Sequence, residues 1–165
     1  VALHLEKRIP MAAGLGGGSS NAAATLLALN ELFDSPMLPS ALTDLAARLG
    51  SDVPFFLQEK PALGFGRGER IMPLNSCPIL KGMHILLVHP GFGISTPWAY
   101  QSLAKFPAAL HGTPGRAETL ATLLGECPSA EVPRSATLTL QRARAHFYNS
   151  LEAPALYKFP ILKLY

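Results

Sequence analysis

The sequence predicts an α+β fold. Two stretches carry apolar residues at helical spacing, and two short apolar runs flank a glycine turn. An apolar run of strand length, ended by a Pro-Gly pair, follows them along the chain. Helix and strand signals that alternate in this way indicate a mixed fold. Of the 165 residues, 48% are hydrophobic and 15% are charged, so the chain has enough apolar material for a core.

The N-terminal part of the chain predicts one strand and two helices. Apolar residues at alternate positions predict a strand over 1–9 that needs a partner. Apolar residues at helical spacing predict a helix from about Ser20 to Phe33. A second helix is predicted to begin at Pro39 and to be closed by Gly50.

The following elements mix strands and helices. The runs 62–65 and 70–74 flank a Gly-Arg-Gly turn and predict a hairpin. The apolar run 84–89 predicts a further strand, and a helix is predicted to start near Pro97. Further helices are predicted over 117–124 and 136–148, and surface loops over 107–115 and 127–134.

The composition argues against several classes of protein. The net charge is +3, but the Lys and Arg residues are scattered, so no basic stripe predicts nucleic-acid binding. No apolar run approaches the roughly 20 residues of a membrane span, and no signal peptide is recognised. A cytoplasmic protein without a membrane partner is therefore expected. Cys77 and Cys127 lack metal or disulfide spacing, the five histidines form no ligand pattern, and no protein-held metal is expected.

The most informative motif is a glycine-rich loop that leads directly into an alanine-rich helix. Its polar and glycine positions are Gly14, Gly16, Gly17, Gly18, Ser19, Ser20 and Asn21. Glycine lets the backbone approach a ligand closely, and the amides at a helix start attract anions. The pattern therefore predicts a phosphate-binding loop, although a plain tight turn would carry similar glycines and stays open as an alternative.

The motif differs from two well-known nucleotide-binding loops. A Walker loop needs a lysine after its last glycine, and Ser19 follows Gly18. A dinucleotide fingerprint needs a third glycine where Ser19 stands, and a strand–helix unit upstream. The loop, if it binds phosphate, must do so in another way.

Asp52 is the candidate for acid–base chemistry. It lies just beyond a predicted helix end, among apolar and aromatic neighbours, where a buried carboxylate would suit a general base. A base of this kind removes a proton from a substrate hydroxyl in some phosphoryl-transfer enzymes. The alternative is a turn or cap residue whose carboxylate accepts hydrogen bonds from local amides.

These motifs together resemble the GHMP kinase superfamily. The blocks that carry the resemblance are Lys7–Ala23 (KRIPMAAGLGGGSSNAA) and Gly50–Phe55 (GSDVPF), and further matching segments are Leu87–Gly91, Ile94–Tyr100 and Asn149–Glu152. The further segments narrow the resemblance to members that phosphorylate the 2-hydroxyl of a cytidine-diphosphate-linked methylerythritol in the non-mevalonate route to isoprenoid precursors. The similarity runs from Lys7 to about Pro160.

The resemblance implies a two-part fold. An N-terminal ATP-binding domain like domain 2 of ribosomal protein S5 would occupy 1–75, and a ferredoxin-like C-terminal domain would begin in 76–165. Both parts would be incomplete. The implied cofactors are ATP and Mg²⁺, and the implied partner is a small-molecule substrate, with a homodimer left open.

The resemblance also implies roles for individual residues. Asp52 would be the catalytic base and touch the substrate, Thr96 would lie at the substrate site, and Tyr100 would stack on cytosine. ATP would be bound by Lys7, Pro10, Gly14, Leu15, Gly16, Gly17, Gly18, Ser19, Ser20 and Asn21, with Ser19 or Ser20 assisting Mg²⁺ or phosphate. From the residues alone, two alternatives stay open: Tyr100 could be a core residue, and Lys7 could be a solvated strand residue.

The sequence departs from the family pattern in three places. An N-terminal Pro-Ala-Lys-like motif and a C-terminal glycine motif are absent, and Ser150 stands where the family usually has Asp. We therefore expect the middle of a longer kinase, with little or no turnover by itself. Two alternatives stay open: a GHMP kinase for homoserine, mevalonate or a sugar, and a non-catalytic remnant that binds nucleotide.

Overall fold

The computed structural model describes residues 1–110, 112–125 and 133–164. Its helices are α1 (Gly17–Leu32), α2 (Pro39–Leu49), α3 (Thr96–Leu103), α4 (Pro107–Leu110), α5 (Arg116–Gly125), α6 (Pro133–Arg144) and α7 (Glu152–Lys158). The strands β1 (Ala62–Phe65) and β2 (Arg70–Pro73) form a small sheet, and 3₁₀ turns cover Pro54–Leu57, Pro78–Leu80 and Pro160–Leu164. Helices and a small sheet together make a mixed α+β structure, as the sequence predicts.

The chain divides into two compact units. The split unit comprises residues 1–17, 84–113 and 148–165, and the hairpin unit comprises 18–83 and 114–147. Each unit is therefore built from stretches that are distant in sequence. The domain boundary predicted between residues 75 and 76 stays a prediction.

Helices α1 and α2 build the first core of the hairpin unit. Ala23 on α1 and Ala46 on α2 are fully buried, and both pack with Val53. Small side chains at these positions let neighbouring backbones approach closely. Helix α2 starts with a proline and ends before Gly50, whose amide donates to the Ala46 carbonyl, so the predicted boundaries of this helix are confirmed.

The predicted hairpin is also confirmed. Strands β1 and β2 pair antiparallel, with Ala62 opposite Pro73 and Phe65 opposite Arg70. The turn needs glycine because Gly68 has a φ of 109°, a conformation that residues with a side chain rarely adopt. A second core of the hairpin unit is formed by Ile79, Leu123, Leu124 and Ala143.

Arg116, the first residue of α5, forms hydrogen bonds to the residues that follow α6. Its guanidinium donates hydrogen bonds to the carbonyls of Ala145, His146 and Phe147 at 2.6, 3.0 and 3.1 Å. These carbonyls follow the C-terminal end of α6, where a positive charge is favourable.

Helices α3 and α7 pack against each other in the split unit. The buried residues are Ala99 and Leu103 on α3 and Pro154 on α7. The rings of Phe92 and Phe159 lie 4.8 Å apart and extend this apolar contact. The described part of this unit contains helices and loops but no strand.

The predicted helix positions agree with the structure apart from their ends. Helix α1 begins at Gly17 instead of Ser20 and ends at Leu32 instead of Phe33. Helices α3 and α5 lie where they were predicted, and α6 ends at Arg144, earlier than the predicted 148. The short helix α4 lies inside the predicted loop 107–115. Most of the predicted loop 127–134, with Cys127, lies outside the described residues.

The strands predicted over 1–9 and 84–89 are wrong for this structure. Neither segment is a strand, and neither makes a backbone hydrogen bond to another described residue. A strand requires a neighbour to exchange hydrogen bonds with, and the described residues supply none for these segments. Their apolar side chains are accordingly exposed.

Neither a membrane-spanning helix nor a cluster of metal-binding side chains occurs among the described residues. No helix among them has the length and apolar character needed to cross a membrane. No group of three or more His, Cys, Asp or Glu side chains among them is arranged to hold a metal ion.

Candidate functional site

The glycine-rich loop adopts left-handed backbone at three positions before α1 begins. Gly14 and Gly16 have φ angles of 71° and 66°, and Ala12 has a φ of 54°. Glycine adopts this conformation without steric cost, but alanine does not. Such strain in a non-glycine residue often marks a functional segment, and it must be held in place by the surroundings.

The loop is held by the segment that precedes α3. The Ile94 amide donates to the Ala12 carbonyl at 2.9 Å. A Cβ added to Gly93 would lie 2.8 Å from the Cβ of Ala12 and 3.2 Å from the Met11 carbonyl oxygen. Residue 93 must therefore be glycine for the two backbones to come this close. Gly93 could not be identified from the sequence, because the spacing of residues does not reveal contacts between distant segments.

Lys7 lies beside the first residue of α1. Its Nζ is 3.3 Å from the position that a Cβ on Gly17 would take. The first turn of α1 carries no acidic side chain that could neutralise this ammonium. A helix N-terminus is itself the positive end of the helix dipole, so Lys7 and α1 together favour an anion at this point.

Thr96 and Gly14 line one cavity of ≈ 430 Å³ in the split unit. The structure thereby brings together a residue of the predicted phosphate loop and a residue of the predicted substrate site. His89, Asn149 and Glu152 add polar side chains to the same cavity, whereas most of its other lining residues are apolar. Concave sites with an apolar lining and a few polar groups are typical of small-molecule binding.

Two of these added polar groups are oriented by the local backbone. The Nδ1 atom of His89 accepts from the Gly91 amide at 3.2 Å, and Oδ1 of Asn149 accepts from the Leu151 amide at 3.0 Å. The remaining ring nitrogen of His89 and the amide nitrogen of Asn149 are donors by elimination. No role for either residue follows from the sequence motifs by themselves.

Tyr100 lies on the exposed side of α3. Ser95 caps this helix by accepting from the Trp98 amide, and Ala99 and Leu103 form the buried face. The Tyr100 side chain is 62% exposed, so it is not part of a core. An exposed aromatic ring is available for stacking with a planar ligand.

Asp52 lies in the hairpin unit and is exposed, so the burial expected for a general base is not observed. It occupies a turn in which the Val53 amide donates to the Gly50 carbonyl at 3.2 Å. The carboxylate oxygen Oδ1 lies 3.7 Å from the Cβ position of Gly68 in the hairpin turn. No hydrogen bond or ion pair joins this carboxylate to a described residue, which speaks against the alternative role as a cap.

The other predicted ATP-binding residues surround the start of α1 in sequence. Pro10 and Leu15 are exposed, whereas Ser19, Ser20 and Asn21 are half-buried in the first turn of the helix. The loop geometry and the Lys7 charge fit the phosphate groups of a nucleotide. A Mg²⁺ ion usually keeps several waters and binds through one or two protein ligands plus phosphate oxygens, which the hydroxyls of this turn would suit.

Comparison with known proteins agrees with these features. Residues 1–60 match the family described as GHMP kinases N terminal domain. The chain is 54% identical over 101 residues to a 4-diphosphocytidyl-2-C-methyl-D-erythritol kinase from Methylacidiphilum infernorum, covering 61% of this chain and 34% of that protein.

Two relatives of the same name match almost the whole chain. The protein from Gloeobacter violaceus is 41% identical over 161 residues, which cover 97% of this chain and 49% of the relative. The protein from a Synechococcus species (strain JA-3-3Ab) is 41% identical over 163 residues, which cover 98% of this chain and 50% of the relative. The chain thus spans a third to a half of the length of these curated relatives. The N-terminal 60 residues, which include the glycine-rich loop, therefore match the GHMP kinase N-terminal domain, and almost the whole chain is similar to these two kinases.

Proposed function

We propose that this chain is part of an ATP-dependent kinase that phosphorylates the 2-hydroxyl of 4-diphosphocytidyl-2-C-methyl-D-erythritol, on the non-mevalonate route to isoprenoid precursors. The observation that carries the proposal is the position of the Lys7 ammonium beside Gly17, where a loop with left-handed glycines enters α1. The names of the curated relatives support the choice of substrate.

The loop residues bind the phosphate groups of ATP in this proposal. The backbone from Gly14 to Gly18 lets its amides approach phosphate oxygens, and Lys7 neutralises part of their charge. Ser19 or Ser20 presents a hydroxyl to phosphate or to Mg²⁺, with Asn21 close by and with Pro10 and Leu15 at the edge of the nucleotide. Bound Mg²⁺ supplies further neutralisation of the phosphate oxygens.

Asp52 orients the acceptor hydroxyl and removes its proton as the phosphoryl group is transferred in line. Its carboxylate accepts no hydrogen bond from a described residue, so its lone pairs are available to a ligand. Asp52 is exposed in this chain, and proton transfer in an active site is favoured where water is excluded. The complete enzyme would therefore have to cover it for efficient proton transfer.

Thr96 and Tyr100 hold the substrate in this proposal. The Tyr100 ring stacks on the cytosine, which contributes roughly 1–3 kcal/mol for a base on an aromatic face. Thr96 lines the cavity that Gly14 also lines. In the proposal, hydrogen bonds from its hydroxyl orient the methylerythritol part. The finer fold assignment belongs to the same proposal: a part like domain 2 of ribosomal protein S5 over 1–75, and the start of a ferredoxin-like part over 76–165. We also propose that the enzyme is cytoplasmic. Its oligomeric state stays open.

A phosphoryl-transfer assay tests the proposal. The chain is compared with a chimera in which these 165 residues replace the matched half of the Gloeobacter violaceus relative, using ATP, Mg²⁺ and the cytidine-diphosphate substrate. Activity of the chimera that is lost in Asp52→Asn, while ATP binding is kept, supports the kinase. A folded chimera without activity in either form would contradict it and leave the non-catalytic nucleotide-binding alternative.

A further inference from the structure

A lysine of α7 lies over the ring of the only tryptophan in the sequence. Nζ of Lys158 is 4.1 Å from the centroid of the Trp98 ring and 5.2 Å from that of the Phe159 ring. An ammonium within about 6 Å of an aromatic centroid is attracted by the negative face of the ring. No carboxylate among the described residues forms an ion pair with Lys158, so the attraction of this ammonium is to the rings.

This cation–π contact joins two helices at the margin of their buried contact. Trp98 lies in the first turn of α3, and Lys158 is the last residue of α7. The buried residues of α3 are Ala99 and Leu103, and the buried residue of α7 is Pro154. Because this buried set is small, a contact between long side chains at its margin contributes much to how α7 lies against α3.

The same two helices line the cavity of ≈ 430 Å³ in the split unit. Its lining residues from these helices are Thr96, Ala99, Glu152, Ala155 and Leu156. Trp98 and Lys158 do not line the cavity, although Trp98 directly precedes Ala99. A shift of α7 against α3 would change the width of the cavity, so the contact of Lys158 with Trp98 acts on the cavity without touching a ligand in it.

Phe92 connects this contact to the wall of the cavity. Its ring lies 4.8 Å from the ring of Phe159, and Phe92 itself lines the cavity. Phe159 is also the second ring near the Lys158 ammonium. Since packed side chains transmit small displacements, a change at Lys158 reaches the cavity wall through Phe159 and Phe92.

We propose that Lys158 and Trp98 are positioning residues: their cation–π contact fixes α7 against α3 and thereby sets the affinity of this cavity for the substrate. The inference rests on the proposed function, because it takes the cytidine-diphosphate substrate to occupy the cavity that Thr96 lines. The contact requires a positive charge over an aromatic face. It is therefore abolished by Lys158→Met, which keeps an unbranched side chain, and retained by Lys158→Arg.

Quenching of tryptophan fluorescence tests the contact in the 165-residue chain itself. An ammonium beside the Trp98 ring attracts iodide and repels caesium. We expect Lys158→Met to lower quenching by iodide about twofold and to raise quenching by caesium, while quenching by neutral acrylamide changes little. The control Lys163→Met, at an exposed lysine of the same unit, should leave all three unchanged. Equal iodide quenching in Lys158→Met and the wild-type chain would overturn the proposal, because the ammonium would not lie at the ring.

Isothermal titration calorimetry tests the positioning role. The cytidine-diphosphate substrate is titrated without ATP into the chimera with the Gloeobacter violaceus relative, so the measurement needs no turnover. We expect Lys158→Met to weaken binding about fivefold, Lys158→Arg to recover most of the affinity, and Lys163→Met to match the wild type. In a Trp98→Leu background, Lys158→Met should have no further effect because the contact is already lost, and additive losses would contradict the proposal.

The outcomes separate this inference from the proposed function. Phosphoryl transfer in which Lys158→Met raises KM for the cytidine-diphosphate substrate, with kcat and KM for ATP unchanged, supports both. Equal substrate affinity of the wild-type chimera and Lys158→Met would overturn the positioning role and leave the kinase standing. A chimera that binds the substrate without transferring phosphate would contradict the kinase, and the affinities by themselves would then decide the inference. A folded wild-type chimera that does not bind the substrate would contradict the proposed substrate and this inference together.

Discussion

The ammonium of Lys7 and the backbone of Gly17 are direct neighbours: Nζ lies 3.3 Å from the point where a β-carbon on residue 17 would stand. Ile9 contacts the same point at 3.4 Å, so any side chain at residue 17 would displace one of them. Gly17 begins α1, and the ammonium therefore adds positive charge at the positive end of a helix. An anion placed there is attracted by both.

Lys7→Ala is expected to weaken the binding of ADP or ATP to the chimera about tenfold, equivalent to about 1.4 kcal/mol. The matched control is Arg8→Ala, since Arg8 is an exposed cation that already pairs with Glu6 at 3.0 Å. Isothermal titration calorimetry in the presence of Mg²⁺ measures both. Equal losses in the two variants would show that only the net charge matters, contrary to the proposed contact.

Gly93→Ala is expected to destabilise the split unit by about 1–3 kcal/mol, because overpacking at a close backbone contact forces the neighbours apart. The free energy of unfolding is measured with urea. The second variant, Ala12→Gly, removes the methyl group that lies 2.8 Å from the added Cβ. The double variant should recover part of the loss, and strict additivity of the two effects would refute the contact.

Tyr100→Ala is expected to weaken the binding of a cytidine diphosphate compound to the chimera by roughly 10- to 100-fold, the range for loss of one base-stacking ring. Tyr157→Ala is the matched control, because this tyrosine is also exposed but packs on Phe106 with ring centroids 5.7 Å apart. Fluorescence titration gives the dissociation constants. A uridine analogue tests whether stacking by itself provides the affinity, since stacking tolerates either base.

Glu69→Gln is expected to change the acid stability of the hairpin unit. Hydrogen bonds from the backbone amides of Glu69 itself and of Arg67 lower the pKa of Glu69 below its ordinary value of 4.5, and the charges of Arg67 and Arg70 lower this pKa further. A lowered pKa stabilises the folded state at neutral pH, and this contribution is lost as pH falls below about 4.5 through the folded-state pKa.

Melting temperatures measured between pH 7 and pH 3 check this expectation. The difference between the wild-type chain and Glu69→Gln should shrink in the acid range, whereas the exposed Glu59→Gln should show little difference at any pH. A constant difference for Glu69→Gln across the whole range would mean that the carboxylate charge has no part in the effect.

Arg116→Ala is expected to lower the free energy of unfolding of the hairpin unit by roughly 1–3 kcal/mol, as for the loss of charge-assisted hydrogen bonds. The variant removes the donor to three successive carbonyls after α6. Arg144→Ala, at an exposed position on α6, is the control. Arg116→Lys should recover only part of the loss, since an ammonium lacks the planar fork of a guanidinium.

The features that the sequence predicts correctly are those determined by neighbouring residues. Glycines around Arg67 specified the hairpin turn, and a proline with a closing Gly50 specified α2, because turns and helix ends are set by neighbouring residues. Gly14 and Gly16 adopt left-handed backbone, the conformation that glycine tolerates best. The left-handed conformation of Ala12 could not be read in this way, because a contact with Ile94 holds it.

The incorrect predictions depend on distant partners. Residues 84–89 have the composition of a strand, but composition cannot provide the neighbour that a strand requires. Asp52 has apolar neighbours in sequence and is nevertheless exposed, because the turn at Gly50 directs Val53 and Pro54 into the core instead. The cavity that Gly14, Thr96 and Asn149 line could not be predicted either, since these residues come from three separate stretches of the sequence.

The assembly of the split unit from three stretches has a consequence for the order of folding. The hairpin can close as soon as residue 73 is available, since its contacts are local. The contact between Ala12 and Ile94, and the cavity that Asn149 completes, require loops of many tens of residues to close first. Contacts between residues this far apart form slowly. During synthesis, the glycine-rich loop therefore leaves the ribosome long before the residues that fix its shape, and it adopts its final conformation among the last steps.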